Sequence, residues 1–161
     1  MMDAHTQATT SSVTNAVDKQ EVGKRTVDGA VTFEIPGKPF AKQRPRFSRQ
    51  GGRTYTPAAT VSFERTVGQI ALPHFPEPLE GAVKVTIWAT FEPAKSWSKK
   101  KTAEHLGRSH TQRPDLDNVA KAICDGLNRI AFADDGQIAE ISVRKVWGPE
   151  ARTVVTVEAA V

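Results

Sequence analysis

One stretch of the sequence has residue types suited to phosphoryl chemistry: Arg113-Pro114-Asp115-Leu116-Asp117-Asn118-Val119-Ala120-Lys121, followed after a gap by Asp134-Asp135. Carboxylates with no histidine or thiol among them make a hard, oxygen-rich donor set that suits Mg²⁺ or Mn²⁺. Such an ion polarises a phosphoryl oxygen and generates a hydroxide nucleophile, and a lysine beside it neutralises charge developing in the transition state. Inside one helix Asp115 and Asp117 would point about 200° apart. A helix that starts at about Asp117 instead leaves Asp115 extended beyond its end, because Pro114 holds the preceding chain out of the helix. Both carboxylates then converge near the helix N-terminus, and Lys121, four residues after Asp117, lies about 40° around the same face.

Asp135 has further to come. A helix from 117 to 128 is about 18 Å long. Asp135 regains the site if Ala131 to Ala133 run extended beside the helix, since seven extended residues span about 24 Å. A plainer reading of the same acids stays open: Asp115 or Asp117 caps the first free amides of the helix, and Asp134-Asp135-Gly136 makes an ordinary turn. Asn118 is expected to fix the first helical turn, and Asp125 to pair with Lys121 at i,i+4.

The elements that must hold these residues follow from the apolar periodicity. Val31, Phe33 and Ile35 alternate with polar residues and stop at Pro36-Gly37, which predicts a strand. Thr56-Pro57 opens a helix over about 57 to 72, with Phe63, Val67, Ile70 and Ala71 at helical spacing and Pro73 at its end. Val83, Val85, Ile87, Ala89 and Phe91 alternate through a strand from Ala82 to Phe91. Val119, Ala120, Ile123, Leu127 and Ile130 trace the apolar stripe of the second helix, with Cys124 at its border as a small, partly buried side chain. Two last strands, about Gln137 to Val146 and Arg152 to Ala159, are joined at Gly148-Pro149. The order β, α, β, α, β, β predicts an α/β (α+β) fold, a small mixed sheet of about four strands with two main helices packed on it.

The 161 residues suffice for one domain with its own core. Residues 1 to 29 lack any apolar period and read as a flexible tail, leaving 30 to 161 as the functional domain. No apolar run is long enough to span a bilayer and no signal-peptide core precedes the domain, so the expected setting is cytoplasmic. A lone cysteine, Cys124, excludes an intramolecular disulfide and a thiolate zinc cage. His5, His74, His105 and His110 show no ligand spacing and are expected on the surface, whereas Trp88 and Trp147 fall in strand patterns and suit the core, a sheet face or a dimer interface.

The net charge of +4 hides a sharper pattern. Lys38, Lys42, Arg44, Arg46, Arg49 and Arg53 form one basic loop without an acid. Lys95, Lys99, Lys100, Lys101, Arg108 and Arg113 form a second one around the single Glu104. Both suit a phosphate backbone, and the aromatic residues among them, Phe40, Phe47, Tyr55 and Trp97, suit stacking on exposed bases. Each taken alone is also compatible with a solvated surface loop.

Asp115-Leu116-Asp117-Asn118-x-x-Lys121, then Asp125-Gly126-Leu127-Asn128 and Asp134-Asp135-Gly136-Gln137-Ile138, together resemble the RusA-type Holliday junction resolvases. Upstream, Ile35-Pro36-Gly37-Lys38-Pro39, Lys42-Gln43-Arg44-Pro45-Arg46 and Thr54-Tyr55-Thr56-Pro57 look like the opening of the phage- and prophage-associated branch. The likeness covers about residues 31 to 159. It implies a homodimeric, Mg²⁺-dependent endonuclease, with Mn²⁺ as a substitute, that binds branched DNA, above all four-way junctions, and introduces paired nicks. The family's catalytic and metal-ligating acids fall on Asp115, Asp117 and Asp135, and its essential lysine on Lys121. The longer basic loop at 38 to 53 and the tail before Val31 depart from the better-known branch, which bears on junction selectivity and on any preferred cleavage sequence. A non-catalytic module that binds branched DNA, with the acids as caps and turns, is the alternative. A metal-dependent nucleotide-sugar transferase ranks last, because no glycine-rich nucleotide loop is present.

Overall fold

The computed structural model describes residues 29–161. The expected tail lies outside the described residues apart from Gly29. The chain forms β1 (Val31–Pro36), β2 (Arg46–Phe47), β3 (Thr54–Tyr55), α1 (Ala58–Ala71), β4 (Val83–Phe91), α2 (Lys99–His105), α3 (Leu116–Leu127), β5 (Ile138–Trp147) and β6 (Arg152–Ala159). Short 3-10 turns follow α1 (Leu72–His74) and precede β5 (Asp135–Gln137).

The main sheet has the order β1-β6-β4-β5. Only β4 and β5 are parallel, paired from Val83↔Ile138 to Phe91↔Trp147 with a one-residue register shift after Val83; β6 runs antiparallel to β4 and to β1. Parallel neighbours need a crossover, and α3 supplies it. The helix therefore starts near the end of β5 and leads back to its beginning. The predicted mixed four-stranded sheet with two main helices is what forms, and α2 is added to it.

One face of the sheet is apolar. Phe33, Val85, Ile87 and Val155 are essentially inaccessible, as are Val67 of α1 and Val119, Ile123 and Leu127 of α3. Each such side chain contributes about 1.5–3 kcal/mol by leaving water. The two helices meet through glycines. A Cβ on Gly126 would stand 2.7 Å from Val67 Cβ and 2.9 Å from the Glu64 carbonyl oxygen, and one on Gly68 would stand 2.8 Å from Ile130 Cδ1. The opposite sheet face is polar, with Thr32 and Thr156 hydroxyls 2.9 Å apart, Lys84 paired to Glu158 at 3.1 Å and the Arg144 guanidinium over Trp88 at 4.6 Å.

Two basic segments expected to be irregular contain structure. Residues 46 to 55 form the β2–β3 hairpin, with Arg46 opposite Tyr55 and Phe47 opposite Thr54. Lys99, Lys100 and Lys101 open α2, whose Ser98 accepts a bond from the Lys101 amide at 3.2 Å. Three lysines in a first turn oppose the helix dipole, and the Lys101 ammonium offsets this by lying 4.1 Å from the centre of the Trp97 ring. No helix among the described residues is long and apolar enough to cross a membrane.

Candidate active site

α3 begins one residue earlier than the spacing predicts, at Leu116, and Asp115 holds the extended conformation (φ −68°, ψ 141°) that keeps it outside the helix. The Arg113–Pro114 peptide before it is cis. The capping alternative fails at this position, because the Asp115 side chain makes no cap hydrogen bond. Asp117 lies in the first turn and Lys121 one turn on, both exposed. Among the described residues neither Asp115, Asp117, Lys121 nor Asp135 enters a side-chain ion pair.

The neighbouring acids behave differently. Asp134 is a cap: its Oδ1 accepts from the Gly136 amide at 2.8 Å, and Gln137 Oε1 reaches back to the Asp134 amide at 3.1 Å. The turn reading therefore holds for Asp134, while Asp135 beside it keeps a free carboxylate. Asp125 was expected to pair with Lys121. It pairs instead with the Lys42 ammonium, which also lies 3.2 Å from Glu64. A partner far along the chain wins because it joins α1, α3 and the base of the first basic loop in a partly buried cluster. Burial alone would lower the Lys42 pKa, but the bonds to Asp125 and Glu64 outweigh it and hold the group above its ordinary value.

The return to Asp135 is more compact than the extended run expected at Ala131 to Ala133. Buried Ala131 and Phe132 draw the chain inward into a tight turn, with Arg129 at φ 67° and its amide bonded to the Phe132 carbonyl at 2.8 Å. Asp135 is itself exposed. Its charge acts on Cys124, whose thiol is pushed up to about 11 by burial, then by Asp125 and Asp135. Among the described residues no three Asp, Glu, His or Cys side chains stand close enough to share one ion.

Lys145 went unnoticed in the sequence. It occupies an inward position of β5, in register with Ala89, and its ammonium donates to the Pro114 carbonyl and, at 2.7 Å, to that of Gln112. It thereby holds the segment that delivers Asp115. Burial lowers its pKa, with the Asp115 charge acting in the opposite direction. A lysine among Ile141, Val143 and Trp147, on the apolar phase of a strand, is the signal that could have marked it. Next to it a basin of about 380 Å³ is lined by Lys38, Lys42, Arg113, Asp115 and Asn118. An anion lying there meets cations beside a carboxylate.

The basic residues divide by environment. Lys38, Arg44, Arg46, Arg49, Arg53, Lys99, Lys100, Lys101 and Arg113 are exposed, whereas Lys42 is engaged by Asp125 and Glu64. Among the aromatic residues, Phe40 stacks on Phe63 at 4.9 Å, and Trp97 packs against His105 and Trp147 at 4.7 and 5.0 Å. His110 departs from the expected surface position: it is 5% exposed, sandwiched by Phe91 and Trp147, and burial lowers its pKa, with the Lys145 charge adding to the effect. His5 lies outside the described residues.

A model of the family described as endodeoxyribonuclease RusA matches residues 36–158. The chain is also 32% identical over 134 residues to an uncharacterized protein, YqaN, of Bacillus subtilis (strain 168), an alignment covering 79% of this chain and 94% of that protein.

Proposed function

Because the chain belongs to the RusA endodeoxyribonuclease family, we propose that it is a Mg²⁺-dependent enzyme that resolves four-way DNA junctions by hydrolysing one phosphodiester in each of two symmetry-related strands, in DNA recombination and repair. The observation that carries this reading is the contrast among the acids. Asp125 and Asp134 are engaged in the fold, whereas Asp115, Asp117 and Asp135 have no side-chain ion pair among the described residues.

This donor set fits a hard divalent ion, since every candidate ligand atom is a carboxylate oxygen without a competing ion pair. Asp115, Asp117 and Asp135 would hold Mg²⁺, or Mn²⁺ in its place, after side-chain rotation brings them together. When bound, the ion supplies an activated water and polarises the phosphoryl group. Lys121 neutralises the charge that accumulates on the phosphoryl oxygens. Lys38 and Arg113, beside Asp115, hold the scissile strand, while Arg44, Arg46, Arg49, Arg53, Lys99, Lys100 and Lys101 grip phosphates further along the arms. Lys145 orients the Asp115 segment from behind.

Paired nicks call for two sites related by a two-fold axis, as a closed homodimer provides. The sheet supports such an assembly: β5 is an edge strand, residues 107 to 110 cover its outer side only at Lys145 to Trp147, and Ile141 is 46% exposed. An open edge with an exposed apolar residue favours pairing with a second copy. A cytoplasmic setting, where DNA is accessible, belongs to the same proposal.

A DNA-binding module without cleavage is the competing reading, and the separation of the carboxylates is the observation in its favour. The two part company in one assay. An end-labelled immobile junction and a matched linear duplex are incubated with the protein in Mg²⁺ or in EDTA. Symmetric nicks in the junction alone, absent in EDTA, support the nuclease; junction binding without nicks in Mg²⁺ or Mn²⁺ supports the module.

A further inference from the structure

The geometry points to the β2–β3 arm as a base-stacking wedge: Phe47 and Tyr55, on opposite faces of the hairpin, stack on the base pairs exposed where the arms of a DNA junction meet. This rests on the junction reading above and assigns to the arm the recognition of the branch itself.

Four aromatic residues interleave the basic segments, and the fold uses two of them. Phe40 lies on Phe63, and Trp97 lies within the Trp147 cluster. Phe47 is 66% exposed and Tyr55 48% exposed, and neither ring contacts another aromatic ring or cation among the described residues. Residues opposite one another in an antiparallel pair share a face, so the register Arg46↔Tyr55 and Phe47↔Thr54 sends the two rings to opposite sides of the ribbon. Each face therefore carries one aromatic ring that is about half or more exposed.

The charge around the rings selects the occupant. Arg44, Arg46, Arg49 and Arg53 lie in the same segment, which has no acidic residue from Arg44 to Tyr55. An arginine-rich ribbon with exposed rings complements a polyanion that presents flat π-faces, which is to say nucleobases flanked by phosphates. A continuous duplex keeps its bases stacked and hides those faces. A branch point exposes the terminal pair of each arm, so the rings add affinity there and none on linear DNA.

The arm is anchored where such a wedge would matter. Its root is bonded to α3 by the Lys42 amide, 2.9 Å from the Asn118 carbonyl, and by the Lys42–Asp125 ion pair. It is bonded to α1 through Gln43, whose amide lies 3.3 Å from Thr60 Oγ1. The tip is closed by Ser48 N–H to Arg53 O at 2.9 Å and Gly52 N–H to Ser48 O at 3.0 Å, with Gly52 at φ +63°. Asn118 follows Asp117 directly, so the root of the arm is tied beside the start of α3.

The test uses the full-length protein in EDTA, which removes cleavage, with an immobile four-way junction carrying 2-aminopurine at the crossover and a matched linear duplex. Wild-type protein is expected to bind the junction more tightly than the duplex and to change the crossover fluorescence. Phe47→Ala and Tyr55→Ala should each weaken junction binding about 10-fold, leave duplex binding unchanged and diminish the fluorescence change, while Phe47→Trp retains both. Arg46→Ala should weaken junction and duplex alike. Both rings lie on the surface, so unchanged circular dichroism and melting temperature are expected and verify the fold. Variants that bind the junction like wild type with an unaltered signal overturn the wedge, as do variants that lose junction and duplex binding equally. A wild-type protein that does not distinguish junction from duplex overturns the junction reading itself, and the wedge with it.

Discussion

Lys42 and Asp125, 83 residues apart in sequence, form an ion pair that fastens the root of the arginine-rich arm to the outer side of α3, with Glu64 of α1 as the third member. The pair links two regions for which separate tasks are proposed, the basic arm and the helix whose start carries Asp115 and Asp117. Lys42 was expected among the phosphate-gripping residues. Its ion pairs with Asp125 and Glu64 give it a part in holding the fold as well, and that part is measurable.

Lys42→Met leaves two carboxylates partly buried without their cation and should lower stability by about 1–3 kcal/mol. The pH dependence follows from the raised pKa. A lysine held above 10.5 in the folded state contributes its full stability below 10.5 and loses it as pH rises through the folded value. The stability gap between wild type and Lys42→Met in urea titrations should thus be constant at pH 7 to 9 and narrow above 10.5. A gap unchanged at higher pH would remove the ion pair as its cause.

Asp134 and Asp135 are adjacent, yet their substitutions should separate. Asp134→Ala removes a cap and should cost about 1 kcal/mol of stability, with cleavage largely retained. Asp135→Asn should leave the melting temperature near that of wild type and reduce junction cleavage by about 100-fold or more. Reversed effects in melting and nicking assays would exchange the roles of the two acids.

Lys145→Met releases the Gln112 and Pro114 carbonyls and, through them, Asp115. Loss of a partner that orients a ligand-bearing segment lowers activity or metal affinity about 10- to 100-fold. The apparent Mg²⁺ requirement of cleavage should rise while the Kd for the junction, measured in EDTA, stays within about twofold. Weakened junction binding with an unchanged Mg²⁺ requirement would make Lys145 a DNA contact instead.

Gly126→Ala tests the contact that positions α3. Alanine favours a helix by about 1 kcal/mol over glycine, but its Cβ would stand 2.7 Å from Val67 Cβ and 2.9 Å from the Glu64 carbonyl. The clash should prevail, giving a net loss of about 1–3 kcal/mol in denaturant unfolding. A stabilised variant would mean that the helices can separate freely at this crossing.

The strands and the two long helices were legible because their burial leaves a period: every second residue of β4 from Val83 to Ala89 is inaccessible, and Val119, Ile123 and Leu127 form one stripe on α3. The extended Asp115 was legible too, since proline and helical geometry constrain it locally. α2 was not, because its lysines show no apolar period and its cap is the single residue Ser98. The Lys42–Asp125 pair and the Lys145 bonds join residues brought together only by the packed sheet and helices, so no local pattern records them. His110 was misplaced for the same reason: its burial depends on Phe91 and Trp147, which reach it from two strands.

The central claim is that free carboxylates at the start of α3 cut a DNA junction. The most direct measurement compares wild type and Asp117→Asn on one end-labelled immobile four-way junction in Mg²⁺, with the junction Kd of both determined in EDTA. Equal Kd values, paired symmetric nicks by wild type and a loss of about 100-fold or more in the variant are the predicted result. Undiminished nicking by Asp117→Asn would contradict the account.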